Sequence, residues 1–443
     1  MNEKLVLIGA GSAMFTRGLI ADALHAGWDG EIALCDVDPD ALAVAEGLAR
    51  KMVAARAADV ALRASTDRTD LLRGATAVVC TIGVGGRRAW ERDVFVPRRH
   101  GVYQPVGDTA MPGGISRALR MIPAMVAVAE DVMELAPGAL FFNYGNPMSA
   151  VCRGVRKATG APVVGLCHGV HHVAGRLAAD LGAPLADFRY TAAGLNHLTW
   201  FTEVRVRGVD AMPRLRELAR AKIEADENPF CWELFETFGA FPAPGDRHVT
   251  EFFPHLFPNG AYRARTLGVD AFSFERTIEG GDAAYAKMRA DAESAEPLRD
   301  DYFDRSGGEH EQVLEIIAAI RRDEQAVFSA NMPNRGQVPN LPGDAIVESP
   351  CVATSAGLRP LQLDALPAGV AATLAGRMQC IETTVEAALE GSREKFVQAL
   401  LLDGSVGSLE VARALADDLL AAQADHLPQF ERASSPARSQ GVP

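Results

Sequence analysis

KLVLIGAGSAMF, residues 4–15, decides the fold. Leu5 to Ile8 is an apolar run of strand length, and Gly9-Ala10-Gly11-Ser12 follows it directly. Ser12 to Ala26 then carries a helical pattern. A strand that ends in a glycine turn and opens into a helix is the start of a dinucleotide-binding unit. Its glycines let the backbone turn beside a pyrophosphate, and the helix N-terminus offers free N–H groups to the anion. The third glycine of the usual fingerprint is missing. The next strand, Ile32 to Leu34 near Cys35, leads to Asp36, 25 residues after Gly11. An acid there accepts a hydrogen bond from a ribose hydroxyl, which favours NAD over NADP.

Working outward, Pro39 to Arg56 reads as a second helix, and Ala77 to Thr81, Ala139 to Asn143 and Val163 to Leu166 as further strands. Ile115 to Leu135 and Val170 to Leu181 carry helical patterns beside them. Such alternation implies a parallel sheet covered on both faces. A second glycine cluster, Gly83-Val84-Gly85-Gly86, falls at the same carboxyl edge, so Gly83 joins Gly9, Gly11, Ser12 and Asp36 as a cofactor-contact candidate. Past Asn196 the sequence predicts long helices broken at Pro242 to Gly245, Pro333 to Gly343 and Leu358 to Pro360. The expected division is a Rossmann-like domain over 1–195, a helix-rich α+β domain over 196–431 and an unstructured Ser/Pro/Arg-rich tail over 432–443.

The chain has 443 residues, 48% of them hydrophobic and 23% charged, the profile of a globular protein of two or three domains. A formal charge of −13 argues against a nucleic-acid partner, because that affinity comes from Lys and Arg neutralising phosphates. The start does not read as a signal peptide and no apolar run is long enough to span a bilayer, so a cytoplasmic protein without a membrane partner is expected. The seven cysteines form no C-x-x-C pair, and most are expected to be free thiols.

Three segments place polar residues immediately after an apolar strand, Asn143-Tyr144-Gly145-Asn146-Pro147-Met148, Cys167-His168-Gly169 and Gly194-Leu195-Asn196-His197, and an earlier one reads Val106-Gly107-Asp108-Thr109-Ala110-Met111-Pro112-Gly113-Gly114-Ile115-Ser116-Arg117. Singly, each is as readily structural as functional; an Asp-Thr pair, for example, often caps a helix. Their ordered occurrence, with GAGS at the start and Asn340-Leu341-Pro342 later, resembles glycoside hydrolase family 4, the NAD- and divalent-metal-dependent glycosidases. The similarity runs from about residue 4 to about 425. It implies a lactate/malate dehydrogenase-like architecture, bound NAD and Mn²⁺ or another divalent ion, a small glycoside as substrate, and a homodimer or homotetramer. It also implies cleavage by oxidation, elimination, addition and reduction at C3 and C2 of the sugar, outside the usual two-carboxylate mechanism.

By motif position, Cys167 and His197 carry over from the family as metal ligands, Asp108 as the acid that protonates the leaving oxygen, and Asn146 as a contact to sugar hydroxyls. The base is Tyr in phosphoglycoside-cleaving relatives and Asp in some α-glycosidases. Pro242-Ala243-Pro244-Gly245-Asp246-Arg247-His248 fits the Asp version and points to Asp246, although Asp is also common in such turns. His168 replaces the Asn or Asp of the 6-phosphoglycosidases. Cys-His-Gly-Val resembles the α-glucuronidase branch, and Gly-Asp-Arg-His with Gly101-Val102-Tyr103-Gln104 resembles the α-galacturonidase branch. Both imply a uronic acid, with His168 beside the sugar and Arg247, then Arg117, as candidates to grip its carboxylate. Neutral α-glucosides or α-galactosides remain the alternative substrates, and a hydroxy-acid dehydrogenase or a non-catalytic NAD sensor the alternative classes. Met111 departs from the family by standing where it has glycine.

Overall fold

The computed structural model describes residues 3–303 and 312–434. Six parallel strands lie in the order Ala61–Ser65, Glu31–Cys35, Lys4–Ile8, Ala77–Cys80, Leu140–Asn143, Val164–Gly165. In chain order that is 3-2-1-4-5-6, a doubly wound Rossmann sheet. The first strand explains why both faces are covered. Leu5 and Leu7 enter one core with Leu19, Ile20 and Leu48. Val6 and Ile8 enter the other with Leu119, Ile122 and Val151. Each side chain fully buried in this way contributes roughly 1.5–3 kcal/mol.

The sheet does not stop at the sixth strand. It continues through antiparallel Val327–Pro333, Ile346–Thr354, Phe188–Leu195, Leu198–Val206 and Phe241–Ala243. Here the expectation of helices past Asn196 needs correction. Leu198, Thr199, Trp200 and Phe201 are buried in succession, so the first half of that strand does not follow the alternation that marks a half-exposed strand. Helices do fill much of the remainder, among them Met212–Glu224, Phe274–Glu293, Ala368–Glu390, Arg393–Asp403 and Leu409–Ala422. The last three turn back onto the nucleotide half, where Val385, Leu400 and Leu415 share a core with Val6 and Val78. The helix Pro428–Ser434 takes in the first residues of the expected tail; 435–443 lie outside the described residues. Among the described residues no helix is long and apolar enough to cross a membrane.

Two buried features position the site. Arg120 and Asp93 form a fully buried ion pair at 2.5 Å. Arg120 Nε donates to the Val84 carbonyl at 2.9 Å and Gln423 Nε2 donates to Asp93 at 2.8 Å, so the second glycine turn is tied to the C-terminal segment. Removing one partner of such a pair costs about 3–5 kcal/mol.

Met111 opens the helix Met111–Leu135 with φ 58°, a left-handed conformation suited to the glycine of the family motif. It is nevertheless 5% exposed. Restoring glycine relieves roughly 1–2 kcal/mol of backbone strain but forfeits about 2–5 kcal/mol of buried side chain. Met111→Gly is therefore expected to lower stability by about 2 kcal/mol, within a span of roughly 0–4. A urea midpoint that rises instead would show that strain dominates.

Candidate active site

The nucleotide edge is built first. Gly9, at φ 93°, and Ala10 donate their N–H groups to the Cys35 carbonyl at 2.8 and 2.9 Å. The Gly11 N–H donates to Asp36 Oδ2 at 2.8 Å and the Asp38 N–H to Asp36 Oδ1 at 3.0 Å. Asp36 thus fixes the glycine turn from the neighbouring strand end, and a Cβ on Gly11 would lie 2.8 Å from its carboxylate. Ser12 lies in the turn, and the helix begins at Thr16 rather than at Ser12. A Cβ on Gly83 would meet Arg117 Nη2 at 3.4 Å, so the second glycine turn adjoins the residues described next.

His197 occupies the turn between the paired strands Phe188–Leu195 and Leu198–Val206, with φ 64°. Two-residue hairpin turns require such left-handed positions. The His197 ring lies 4.1 Å from the ring of His248, centroid to centroid. Thr109 Oγ1 donates to Asp108 Oδ1 at 2.8 Å and lies 2.9 Å from His197 Nδ1. Since that hydroxyl proton is committed to Asp108, the network assigns the imidazole proton to Nδ1 and leaves Nε2 with a lone pair. Asn146 Nδ2 donates to Asp108 Oδ2 at 3.0 Å, and Arg117 Nε donates to the Asn146 carbonyl at 3.0 Å.

Burial pushes the His197 imidazole down and the His248 imidazole well down. Burial alone would raise the Asp108 carboxyl, but the fields of His197, His248 and Arg117 outweigh it and hold it at about 2. Among the described residues, Asp108, His197 and His248 offer donor atoms within 4.8 Å of one another. His248 Nδ1 is buried without a partner. Imidazole lone pairs beside an ionised carboxylate suit a borderline divalent ion. His248 was not singled out from the sequence, although it stood beside Arg247 in the quoted segment.

Cys167 does not belong to this group of three. It is half-buried ahead of the helix Gly169–Asp180, and its Sγ accepts the Gly169 N–H at 3.4 Å. His168 is exposed at the N-cap of that helix, and its charge bears on His197 and His248.

Asp246 has a geometry that the expectation of a base did not foresee. It is 0% exposed. Its oxygens accept the Phe230 N–H at 2.9 Å, the Cys231 N–H at 2.8 Å and the Tyr262 hydroxyl at 2.6 Å. It caps the helix Pro229–Phe238 from outside that helix's own segment, because Asn228 provides no side-chain cap. A carboxylate holding those donors is committed to structure. Asp246→Ala is expected to cost about 3 kcal/mol in denaturant unfolding, since it leaves buried donors unpaired. An unchanged midpoint would remove the capping role.

Arg247, next to it, donates from Nη2 to Thr277 Oγ1 at 3.0 Å and has no ion-pair partner among the described residues. Behind the His197 hairpin, the buried Glu348 accepts the Thr199 hydroxyl at 2.8 Å, and burial pushes its carboxyl up to about 7. A raised folded-state pKa means that the native protein holds this proton more tightly than the unfolded chain. The associated stability is complete below the ordinary carboxyl range and is lost as pH rises through about 7. Glu348→Gln is expected to flatten that decline in Tm between about pH 4.5 and 7, from the ordinary carboxyl value to the raised one.

A Rossmann sheet edge facing a cluster of imidazole, carboxylate and carboxamide groups defines an α/β enzyme built for dinucleotide-assisted chemistry on a small polar substrate. Comparison with known proteins makes this specific. Residues 4–183 match the model of family 4 glycosyl hydrolase, and residues 192–406 that of the family 4 glycosyl hydrolase C-terminal domain. An alpha-galacturonidase of Bacillus subtilis (strain 168) is 32% identical, covering 90% of this chain and 92% of that protein. An alpha-galactosidase of the same organism is 30% identical, covering 97% of this chain and all of that one. A 6-phospho-alpha-glucosidase from gut microorganisms, solved in complex with NAD and Mn²⁺, superposes with a TM-score of 0.83 at 19% identity, covering 97% of this chain and 100% of that one. The chain belongs to glycosyl hydrolase family 4 and is a glycosidase.

Proposed function

We propose that this glycosidase cleaves α-linked uronic acid glycosides with NAD and a divalent metal, Mn²⁺ in the first instance. The observation that carries the substrate class is Arg247. Its guanidinium has the neutral Thr277 hydroxyl as a hydrogen-bond partner, makes no salt bridge among the described residues, and bears electrostatically on His197, His248 and Glu251. A guanidinium with no salt bridge among the described residues is suited to receive an anion from the substrate. Arg117 is the second candidate, already spent in part on the Asn146 carbonyl and on the field at Asp108. The alpha-galacturonidase relative supports this reading, and the alpha-galactosidase relative keeps a neutral sugar as the competing one.

The residues fit both cofactors. Gly9, Gly11, Ser12, Asp36 and Gly83 line the sheet edge where NAD would lie. His197 Nε2 and His248 Nδ1 would hold the metal, with Cys167 as a further donor. When bound, NAD accepts and returns a hydride and the metal supplies Lewis acidity. The protein's own part is to orient and to move protons. Asn146 donates to Asp108 and fixes its carboxylate. Asp108, ionised at neutral pH and joined to His197 through Thr109, is placed to take a proton from the sugar and to return one to the leaving oxygen. This role falls to Asp108 because Asp246 would have to abandon the Phe230 and Cys231 N–H groups to act as base.

The test is hydrolysis of p-nitrophenyl α-D-glucuronide and α-D-galacturonide, with the α-D-glucoside as control, each with NAD⁺, Mn²⁺ and a thiol and then with each omitted. Cleavage confined to the uronides and dependent on both cofactors is expected. Cleavage of the glucoside alone would discard the carboxylate pocket, and stoichiometric NADH without hydrolysis would discard the cofactor cycle.

A further inference from the structure

Glu251 stands just after the short helix Asp246–Val249 that carries Arg247 and His248. It is 1% exposed. Its Oε1 accepts two backbone N–H groups from a distant segment, Val106 at 2.8 Å across 145 positions and Gly107 at 2.7 Å across 144. Asp108 is the next residue along that segment. Trp90 Nε1 holds the other polar group of Val106, its carbonyl, at 2.7 Å. Gly107 turns there with φ 62° and packs so tightly that a Cβ would meet Val94 at 2.7 Å. The second oxygen, Oε2, is buried without a partner. Burial first, and then the nearby Asp108 charge, push the Glu251 carboxyl up to about 8.

One side chain therefore joins the two pieces of chain that bring Asp108 and His248 together. We propose that Glu251 is a positioning residue that registers the Asp108 loop against the His248 helix and so sets the spacing of the Asp108–His197–His248 cluster. The inference rests on the reading of that cluster as the metal and proton-transfer site, and it assigns Glu251 no contact with substrate. It follows from the sharing of one oxygen between two adjacent N–H groups. That arrangement tolerates exchange of the unpartnered oxygen for an amide, but not shortening of the side chain.

The experiment compares the full-length enzyme with Glu251→Gln, Glu251→Asp, Glu251→Leu and His248→Ala. Mn²⁺ affinity is read by electron paramagnetic resonance of the free ion, NAD⁺ affinity by fluorescence, and folding by thermal unfolding. Glu251→Gln keeps an oxygen for both N–H groups and is expected to bind Mn²⁺ within about threefold of wild type. Glu251→Asp and Glu251→Leu are expected to lose roughly 10–100-fold in Mn²⁺ affinity, the effect of removing an outer partner of a metal site, while NAD⁺ affinity holds. Glu251→Asp keeps the test open if the leucine variant does not fold. Wild-type Mn²⁺ affinity in a folded Glu251→Asp protein would overturn the proposal alone, as would a Glu251→Gln protein as impaired as Glu251→Asp. Mn²⁺ bound undiminished by His248→Ala would overturn the reading of the cluster and this proposal with it.

Discussion

Replacing His197 by asparagine is expected to remove metal-dependent hydrolysis while leaving the fold and NAD⁺ binding in place. Asparagine is chosen because His197 has φ 64°, and asparagine tolerates the left-handed region better than alanine. Folding is therefore spared much of the roughly 1–2 kcal/mol of left-handed strain that an alanine carries. What is lost is the Nε2 lone pair that the Thr109–Asp108 chain orients. Outer partners of metal ligands cost about 10–100-fold when removed. Loss of a ligand should exceed the upper end of that range, so kcat at saturating NAD⁺ should fall by more than about a hundredfold. The glycine turns that would bind NAD are held by Asp36, Val84 and Arg120, none of which touches His197. Mn²⁺ titration and NAD⁺ titration of the variant, with Tm measured alongside, check both halves. An enzyme still activated by Mn²⁺ would place the metal elsewhere.

The second large effect is expected at Arg247. Arg247→Met keeps the apolar stem and deletes the fork. For a uronide, truncating one partner of a desolvated charge pair costs about 2–5 kcal/mol, so kcat/KM should fall by between about 30-fold and several thousandfold. For a neutral glycoside no such pair exists, and kcat/KM should change little. Arg247→Lys should fall between the two, since it retains the charge without the bidentate geometry. The Thr277 hydroxyl that holds Nη2 should make the arginine pre-oriented, so Thr277→Val is a milder version of the same change. Equal losses on uronide and glucoside would show that Arg247 supports the loop rather than the substrate carboxylate.

These effects come from residues of unequal visibility in the sequence. The strand–glycine–helix opening and Asp36 were legible because everything that matters there is local. The turn, the strand end and the acid lie within one βαβ stretch, and the Gly11–Asp36 bond spans only 25 positions. Asn146 and His197 were visible in motif segments after apolar strands, and Asp108 in a separate polar motif that precedes a helix. Their mutual hydrogen bonds were not, since Thr109 reaches His197 across 88 positions. The strand Leu198–Val206 was hidden because its first four residues are buried without alternation. The domain line drawn at residue 195 falls within a sheet whose antiparallel half begins with Phe188–Leu195.

Asp246 and His248 show most plainly where sequence stops and tertiary structure begins. They are two positions apart in a Pro/Gly-rich turn, and either side chain has the chemistry of an active site. By itself the sequence determined the α/β class, the nucleotide edge and the set of chemically capable segments. Those follow from short-range periodicity, backbone freedom at glycine and ordered motifs. Only the tertiary structure decided that Asp246 turns inward to cap the helix Pro229–Phe238, while His248 turns toward His197 and Asp108. The physical reason is hydrogen-bond satisfaction in a buried setting. Asp246 takes up two orphan N–H groups of that helix together with the Tyr262 hydroxyl, and a fully buried carboxylate holding two backbone donors and a hydroxyl is committed to structure.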